Sequence, residues 1–341
     1  MCPRPLTHDC CVTKKAITIA DAAALLMTRD DLLLRGMTER TIETAARSGA
    51  LRRIRRGWFV RESAWAELWP EGRHLLHVLA VAQDARGSDP VFAGASAAVL
   101  QGLPLYRYHP KRVEVLVASP RHIRSTPDVL RHEGRLASRD IAQVGGIRVT
   151  AVERTVVDLA RALRLEAAVS VADAALRAVA VDRYTQDDER AGVWRDSLAK
   201  RLSDARGQRG IRQARWVIAF ADGRAQLPGE SASRTNLHRI GVRNIRIQVR
   251  VPAPNGGDYW TDFGLDDFDS FGEFDGVGKY LDEAMRSGRT LEQVMLDEKR
   301  REDWIRGTTG RRVVRWGDED AASPDALARR LRAFGFVIPG R

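Results

Sequence analysis

The sequence predicts a multidomain protein of mixed α+β and α/β type, and three observations predict it. Between Thr28 and Arg61, two short helical runs broken by glycines lead into an Arg-rich hairpin. In the middle of the chain, alternating strand patterns give way to amphipathic helical ones. Beyond Pro228, a helical run is followed by three strand-like runs rich in β-branched and aromatic residues. A length of 341 residues accommodates two or three domains.

Residues 1–27 read as a disordered tail. Ala16 to Met27 is apolar, but Asp21 interrupts it and no clean small-residue cleavage site follows, which argues against a signal peptide. Cys2, Cys10 and Cys11 all lie in this tail, and with His8 they have the chemistry of a zinc site, though the spacing fits no standard knuckle. The remaining chain carries no cysteine, which excludes a disulfide framework and suits a reducing cytoplasm, the expected location. No run of about 18 apolar residues occurs, so no membrane span is expected.

Residues 28–65 read as a winged helix-turn-helix. A helix near Arg29–Arg35 should stop at Gly36, where an αL residue ends the turn. Thr38 can cap a second helix, Glu39–Arg47, whose apolar stripe is Ile42, Ala45 and Ala46. Gly49 closes it, and Leu51 to Val60 then forms a hairpin turning at Gly57. Nine Arg against four acidic residues between Thr28 and Arg61 leave a local excess of five positive charges. In a winged helix the second helix enters the major groove and the wing lies on phosphates, which makes Arg40, Thr44, Arg47, Arg52, Arg53, Arg55 and Arg56 the candidate DNA contacts. The alternative is a small helical subdomain with solvated arginines. The whole chain carries a formal charge of +11, which favours a polyanionic partner but is equally the signature of an Arg-rich proteome.

Residues 66–182 read as a mixed α/β middle domain. Arg112 to Ala118 alternates as a strand, and Thr155 to Leu163 has an amphipathic helical pattern with an Arg154–Asp158 pair four residues apart. Nothing there has the spacing of a nucleophile with its base. Residues 183–227 are polar and helix-prone and read as a helical linker, with a boundary near 182–208.

Residues 228–341 form the last predicted domain. Pro228 opens a helix that Gly241 stops. Asn244 to Val251 alternates as a strand with one polar face, and Tyr259–Gly264 and Phe271–Asp275 read as a hairpin around an acidic turn. Alternation puts Glu273 and Asp275 on one face, with Asp262 on the neighbouring strand. Seven acidic residues and no Lys or Arg lie between Asp258 and Asp275, so something positive is needed among them. A divalent cation held by Asp262 and Glu273 would serve, as would Lys279 with nearby Arg; a solvated acidic loop is the plainer reading for Asp266, Asp267 and Asp269.

Two family resemblances rest on these residues. The segment from Thr28 to Ala180 resembles AbiEi-type antitoxins of type IV toxin–antitoxin systems, through its helix-turn-helix, FAGASAAVLQGLPL, GGIRVTAVERTVVDLAR and VADAALR. That resemblance implies a double-stranded DNA partner, repression of its own operon and antagonism of a nucleotidyltransferase-type toxin. The segment from Pro228 to Trp316 is similar to the PD-(D/E)XK nuclease superfamily, in its Vsr-like branch, through EFDGVGKY and DEKRREDWIRGTTGRRVVRW. It implies a restriction-endonuclease-like fold with Glu230 as the helix acid, Asp262 as the strand Asp and Glu273 at the D/E position. Asp275 stands where the family has Lys, and Lys279 is the nearest replacement. Mg²⁺ or Mn²⁺ would be the cofactor of an active site of this kind. Arg300, Arg301 and Arg306 are expected to line a groove beside it. The expected function is that of a DNA-binding antitoxin-like regulator with a nuclease-like C-terminal domain; a metal-dependent endonuclease aimed by its winged helix is the alternative.

Overall fold

The computed structural model describes residues 14–85, 90–117, 124–134, 136–254, 256–276 and 290–339. They divide into two units: one runs to Gly102 and resumes over His109–Thr150, the other takes Leu103–Tyr108 and everything from Ala151. The first unit is mixed α and β, and so is the second.

The first unit begins with three capping boxes, in which Thr18, Thr28 and Thr38 each exchange bonds with the residue three positions on. They start α1 (Ile19–Leu25), α2 (Arg29–Leu34) and α3 (Glu39–Arg47). α1 lies inside the segment expected to be a disordered tail. It is held because its cap is local and Ala22 is fully buried, with α1 packed on α5. Gly36 and Gly57 take φ of +85° and +83°, the left-handed backbone a side chain resists, which ends α2 and turns the hairpin. That hairpin is β2 (Leu51–Arg55) and β3 (Trp58–Arg61), and β3 also pairs with β1 (Met27–Thr28). Met27, Leu32, Ile42, Leu51 and Phe59 form the core beneath. After α4 (Glu62–Ala66) and α5 (Pro70–Asp84) comes a five-stranded sheet in the order β6-β5-β4-β8-β7. Its strands are β4 (Val91–Phe92), β5 (Val113–Val117), β6 (Val129–Glu133), β7 (Ile141–Val144) and β8 (Ile147–Thr150), with α6 (Gly94–Leu100) after β4.

His74 on α5 is 4% exposed, and its Nε2 lies 2.9 Å from the Ser96 hydroxyl on α6. Burial, helped by the nearby His77, pushes its pKa down from 6.5 to about 3. The unfolded chain therefore takes up a proton that the folded chain refuses between those values, so stability falls as pH drops. The expected slope from this residue is about 1.4 kcal/mol per pH unit below roughly pH 6.5. Urea unfolding at a series of pH values, repeated with His74→Gln, checks it: the variant should lose that part of the slope.

The second unit opens with α7 (Val152–Ala162), α8 (Leu165–Ala180), the short strands β9 (Val181–Asp182) and β10 (Thr185–Gln186), α9 (Asp188–Asp204) and α10 (Ile211–Phe220). These are packed helices, and residues 183–227 are no linker: Trp194, Leu198, Val217 and Ile218 are buried. α7 and α8 belong with this unit and not with the strands of residues 66–150, so the predicted middle domain is divided. The reason is α11 (Pro228–Arg239), which packs along α8.

From α11 the chain enters β11 (Ile245–Pro252), β12 (Asp258–Leu265) and β13 (Ser270–Asp275), which are antiparallel in succession. It returns through α12 (Leu291–Thr309) to β14 (Arg312–Gly317), parallel to β13 with Glu273 beside Arg315. α13 (Asp318–Ala321) and α14 (Pro324–Ala333) follow. Leu237, Phe263, Phe274, Trp316 and Leu331 form one core of this sheet, and Val249, Val251, Phe271 and Ile305 another.

β11 departs from the regular strand expected of it. Ile245 packs against the first core, whereas Val249 and Val251 join the second, although residues an even number apart should share a face. The break is Gln248, whose φ is +51° and whose ladder pairing is interrupted between Ile247 and Val249. Gln248 is therefore buried, where alternation placed it on a polar face.

Candidate functional site

The Arg-rich end of the first unit is built by α3 and the β2–β3 hairpin. Only Ile42 of α3 is fully buried, so Arg40, Thr44 and Arg47 stand exposed along the helix. Arg53 and Arg56 are exposed on the hairpin, and no ion pair is found for either among the described residues. Arg52 and Arg55 differ. Arg52 makes a two-pronged bond to Glu62, at 2.7 and 2.6 Å, and its guanidinium lies over Trp65. Arg55 pairs with Asp84 and Asp128, each at 3.2 Å. Of the seven predicted contacts, five face solvent with no acidic partner among the described residues, and two are committed to the fold.

The acidic cluster of the second unit draws on four elements. Glu230, in the first turn of α11, is 3% exposed; its Oε2 accepts from the Gln226 backbone N–H at 2.8 Å and faces the Gln248 amide at 3.4 Å. Asp262 on β12 accepts from the Phe274 N–H of β13 at 2.8 Å. Glu273 is 3% exposed and meets two guanidinium groups: Arg301 Nη2 is 2.8 Å from Oε1 and Arg315 Nη2 is 3.0 Å from Oε2. Arg301 and Arg315 also share Glu298, and Arg315 reaches Glu302 at 3.1 Å. Asp275 is half-buried at the end of β13, beside Gly317. Lys279 lies outside the described residues, as do His8 and the three cysteines.

Glu230 stands on α11, Asp262 on β12 and Glu273 on β13, and at Glu273 arginine supplies the positive charge. Mg²⁺ or Mn²⁺ needs a set of free oxygens around it at about 2.0–2.1 Å for Mg²⁺. Both Glu273 oxygens already face a guanidinium, and Asp262 serves a backbone N–H. No group of three His, Cys, Asp or Glu suited to a metal ion occurs among the described residues. Among the described residues Glu273 is therefore met by two arginines and is not left open to the expected cation.

Sequence reasoning missed Arg315 and Gln248. Arg315 was legible only through the parallel register that sets it beside Glu273. Arg301 was expected on a groove wall and instead bonds Glu273; Arg300 and Arg306 keep to their own helix, pairing with Asp297 and Glu302. The acidic turn is not merely solvated either. Asp266 binds Arg246 and Arg311, which hold its carboxyl down at about 2, and Asp267 accepts the Arg243 N–H at 2.8 Å.

No family model matches the chain. Two uncharacterized proteins of Mycobacterium tuberculosis, from strains CDC 1551 and H37Rv, are each 26% identical to it over 280 residues, spanning 78% of this chain and 93% of each relative. The crystal structure of another Mycobacterium tuberculosis protein is 15% identical, with a TM-score of 0.32, and covers 62% of this chain and 84% of that one. No helix among the described residues is long and apolar enough to cross a membrane.

Proposed function

We propose that the protein is a double-stranded DNA-binding regulator whose α3 reads the major groove while the β2–β3 hairpin lies on phosphates. The observation that carries this reading is the division of labour among the arginines. Arg40 and Arg47 stand on a capped helix and Arg53 and Arg56 on the adjoining hairpin, all exposed and outside the fold's own ion pairs. Charge placed this way costs no internal contact when it meets a phosphate. The resemblance to AbiEi antitoxins supplies the regulatory role: repression of its own operon, opposite a nucleotidyltransferase-type toxin. The order of α11, three strands, α12 and β14 supports a nuclease-like ancestry for the second unit. Its arginine-filled acidic cluster favours the regulator over the endonuclease.

The test is anisotropy titration of operator-containing duplex DNA over a range of salt. Each phosphate contact removed lowers the slope of log K against log salt by about 0.9. Arg53→Ala/Arg56→Ala should therefore flatten it by about 2 across all sequences, while Arg40→Ala/Arg47→Ala should reduce the preference for the operator. Arg52→Ala should chiefly cost stability, because it breaks the Glu62 pair. Unchanged affinity and slope in both double variants would overturn the reading.

A further inference from the structure

A second binding feature lies in the second unit, at the start of β12. The β9–β10 turn and the start of β12 enclose an open cleft of about 430 Å³, lined by Asp182, Arg183, Tyr184, Thr185, Asp258 and Trp260. That size falls within the roughly 300–1,000 Å³ of small-molecule sites. Tyr184 and Trp260 stack with ring centroids 4.5 Å apart and planes 16° from parallel. Both rings remain partly exposed.

The turn that carries Tyr184 is built against local preference. Asp182 pairs with Thr185, so Arg183 and Tyr184 are the two turn residues, and Arg183 takes a φ of +51°. Glycine, asparagine or aspartate ordinarily takes this position, and an arginine there stores strain. The Arg177 guanidinium holds the turn by donating to the Arg183 carbonyl at 2.9 Å. The Arg183 side chain itself is exposed, and no ion pair is found for it among the described residues. Of the two carboxylates on the cleft, Asp258 is matched by Arg250 at 2.7 Å. Asp182 is exposed and has no ion pair among the described residues.

We propose that this cleft binds an unpaired guanine base. A planar base extends the Tyr184–Trp260 stack. Asp182 accepts from two parallel donors, and guanine is the base whose Watson–Crick edge offers them, N1–H and the 2-amino group. Arg183, exposed at the strained turn position, then meets the attached phosphate. Inside a duplex that edge is paired, so the ligand is a free guanine nucleotide or a guanine in a single strand.

The experiment uses the full chain carrying Arg40→Ala, Arg47→Ala, Arg53→Ala and Arg56→Ala, so that α3 and the hairpin do not contribute. Tryptophan fluorescence is titrated with GMP, IMP and AMP, and with a thymine-only oligonucleotide with or without one central dG. GMP should bind at least tenfold more tightly than IMP, which lacks the 2-amino donor, a ratio typical of one good bidentate pair. Asp182→Asn should erase that difference. Arg183→Gly should weaken binding about tenfold while leaving the folded chain as stable or more so, since glycine relieves the turn; a purely structural arginine would show the stability gain alone. Binding of GMP identifies a nucleotide site, and binding of the dG oligonucleotide without GMP identifies a single-strand site. Equal affinity for GMP, IMP and AMP, or no binding of any probe, overturns the proposal.

Discussion

Asp173→Ala is expected to destabilise the second unit by about 3–5 kcal/mol, the usual cost of stranding one partner of a buried ion pair. Asp173 on α8 is 1% exposed. Its carboxylate accepts from Arg234 Nη2 of α11 at 2.9 and 3.0 Å and from the Asp222 N–H, after α10, at 2.8 Å. Arg234 also donates to the Phe220 carbonyl at 2.7 Å and lies 3.9 Å over that residue's ring. One pair therefore fastens α8, α10 and α11. Removing either side chain leaves a charge where water cannot reach it. The double variant Asp173→Leu/Arg234→Leu removes both charges, so it should lose less than the sum of the single variants. Urea unfolding of the wild type, Asp173→Leu, Arg234→Leu and the double variant gives the coupling energy directly. A single variant that unfolds at the wild-type midpoint would contradict the clamp.

That pair also marks where the sequence was hard to read. Arg234 and Asp173 are 61 positions apart. Nothing local tells that one will neutralise the other, so the sequence alone groups α8 with the strands before it. The stripe Ala191, Trp194, Leu198 and Leu202 of α9 was in principle legible, since its steps of three and four residues follow one helix face. The polar residues between these positions hid it. Residues 28–61 differ, because their signals are local. Thr38 three residues before Thr41, Gly36 at the end of α2 and Gly57 in the hairpin each set backbone geometry within a few positions. These local signals put α2, α3 and the hairpin within a residue or two of where they lie. The arginines of the hairpin were legible as charge but not as partners: Glu62, Asp84 and Asp128, which claim Arg52 and Arg55, are settled by tertiary packing. At Gln248 a strained backbone overrode strand alternation, and no residue type announced it.

Glu273→Ala is expected to cost about 3 kcal/mol whether or not Mg²⁺ is present, because it leaves Arg301 and Arg315 facing an emptied, largely dry position. Glu298 and Glu302 still reach these arginines, which sets the loss at the low end of the range for a buried pair. A cation-binding carboxylate behaves in the opposite way. A bound ion at a hundredfold excess over its Kd would add about 2.7 kcal/mol to the wild-type chain and nothing to the variant. Thermal unfolding of both chains, in EDTA, Mg²⁺ and Mn²⁺, separates the two. Supercoiled plasmid incubated with the same samples carries the argument to chemistry. The arginine network predicts no metal-dependent nicking by either chain. Cutting by the wild type that Glu273→Ala abolishes, together with a metal-dependent rise in its melting temperature, would mean that the cation displaces Arg301 and Arg315 and that the nuclease chemistry survives. Without that rise, the sheet's carboxylates serve the fold: of the seven acidic residues between Asp258 and Asp275, Asp258, Asp266, Asp269 and Glu273 are held by arginines from β11, α12 and β14 and from the turn before β14, in a chain with arginine to spare.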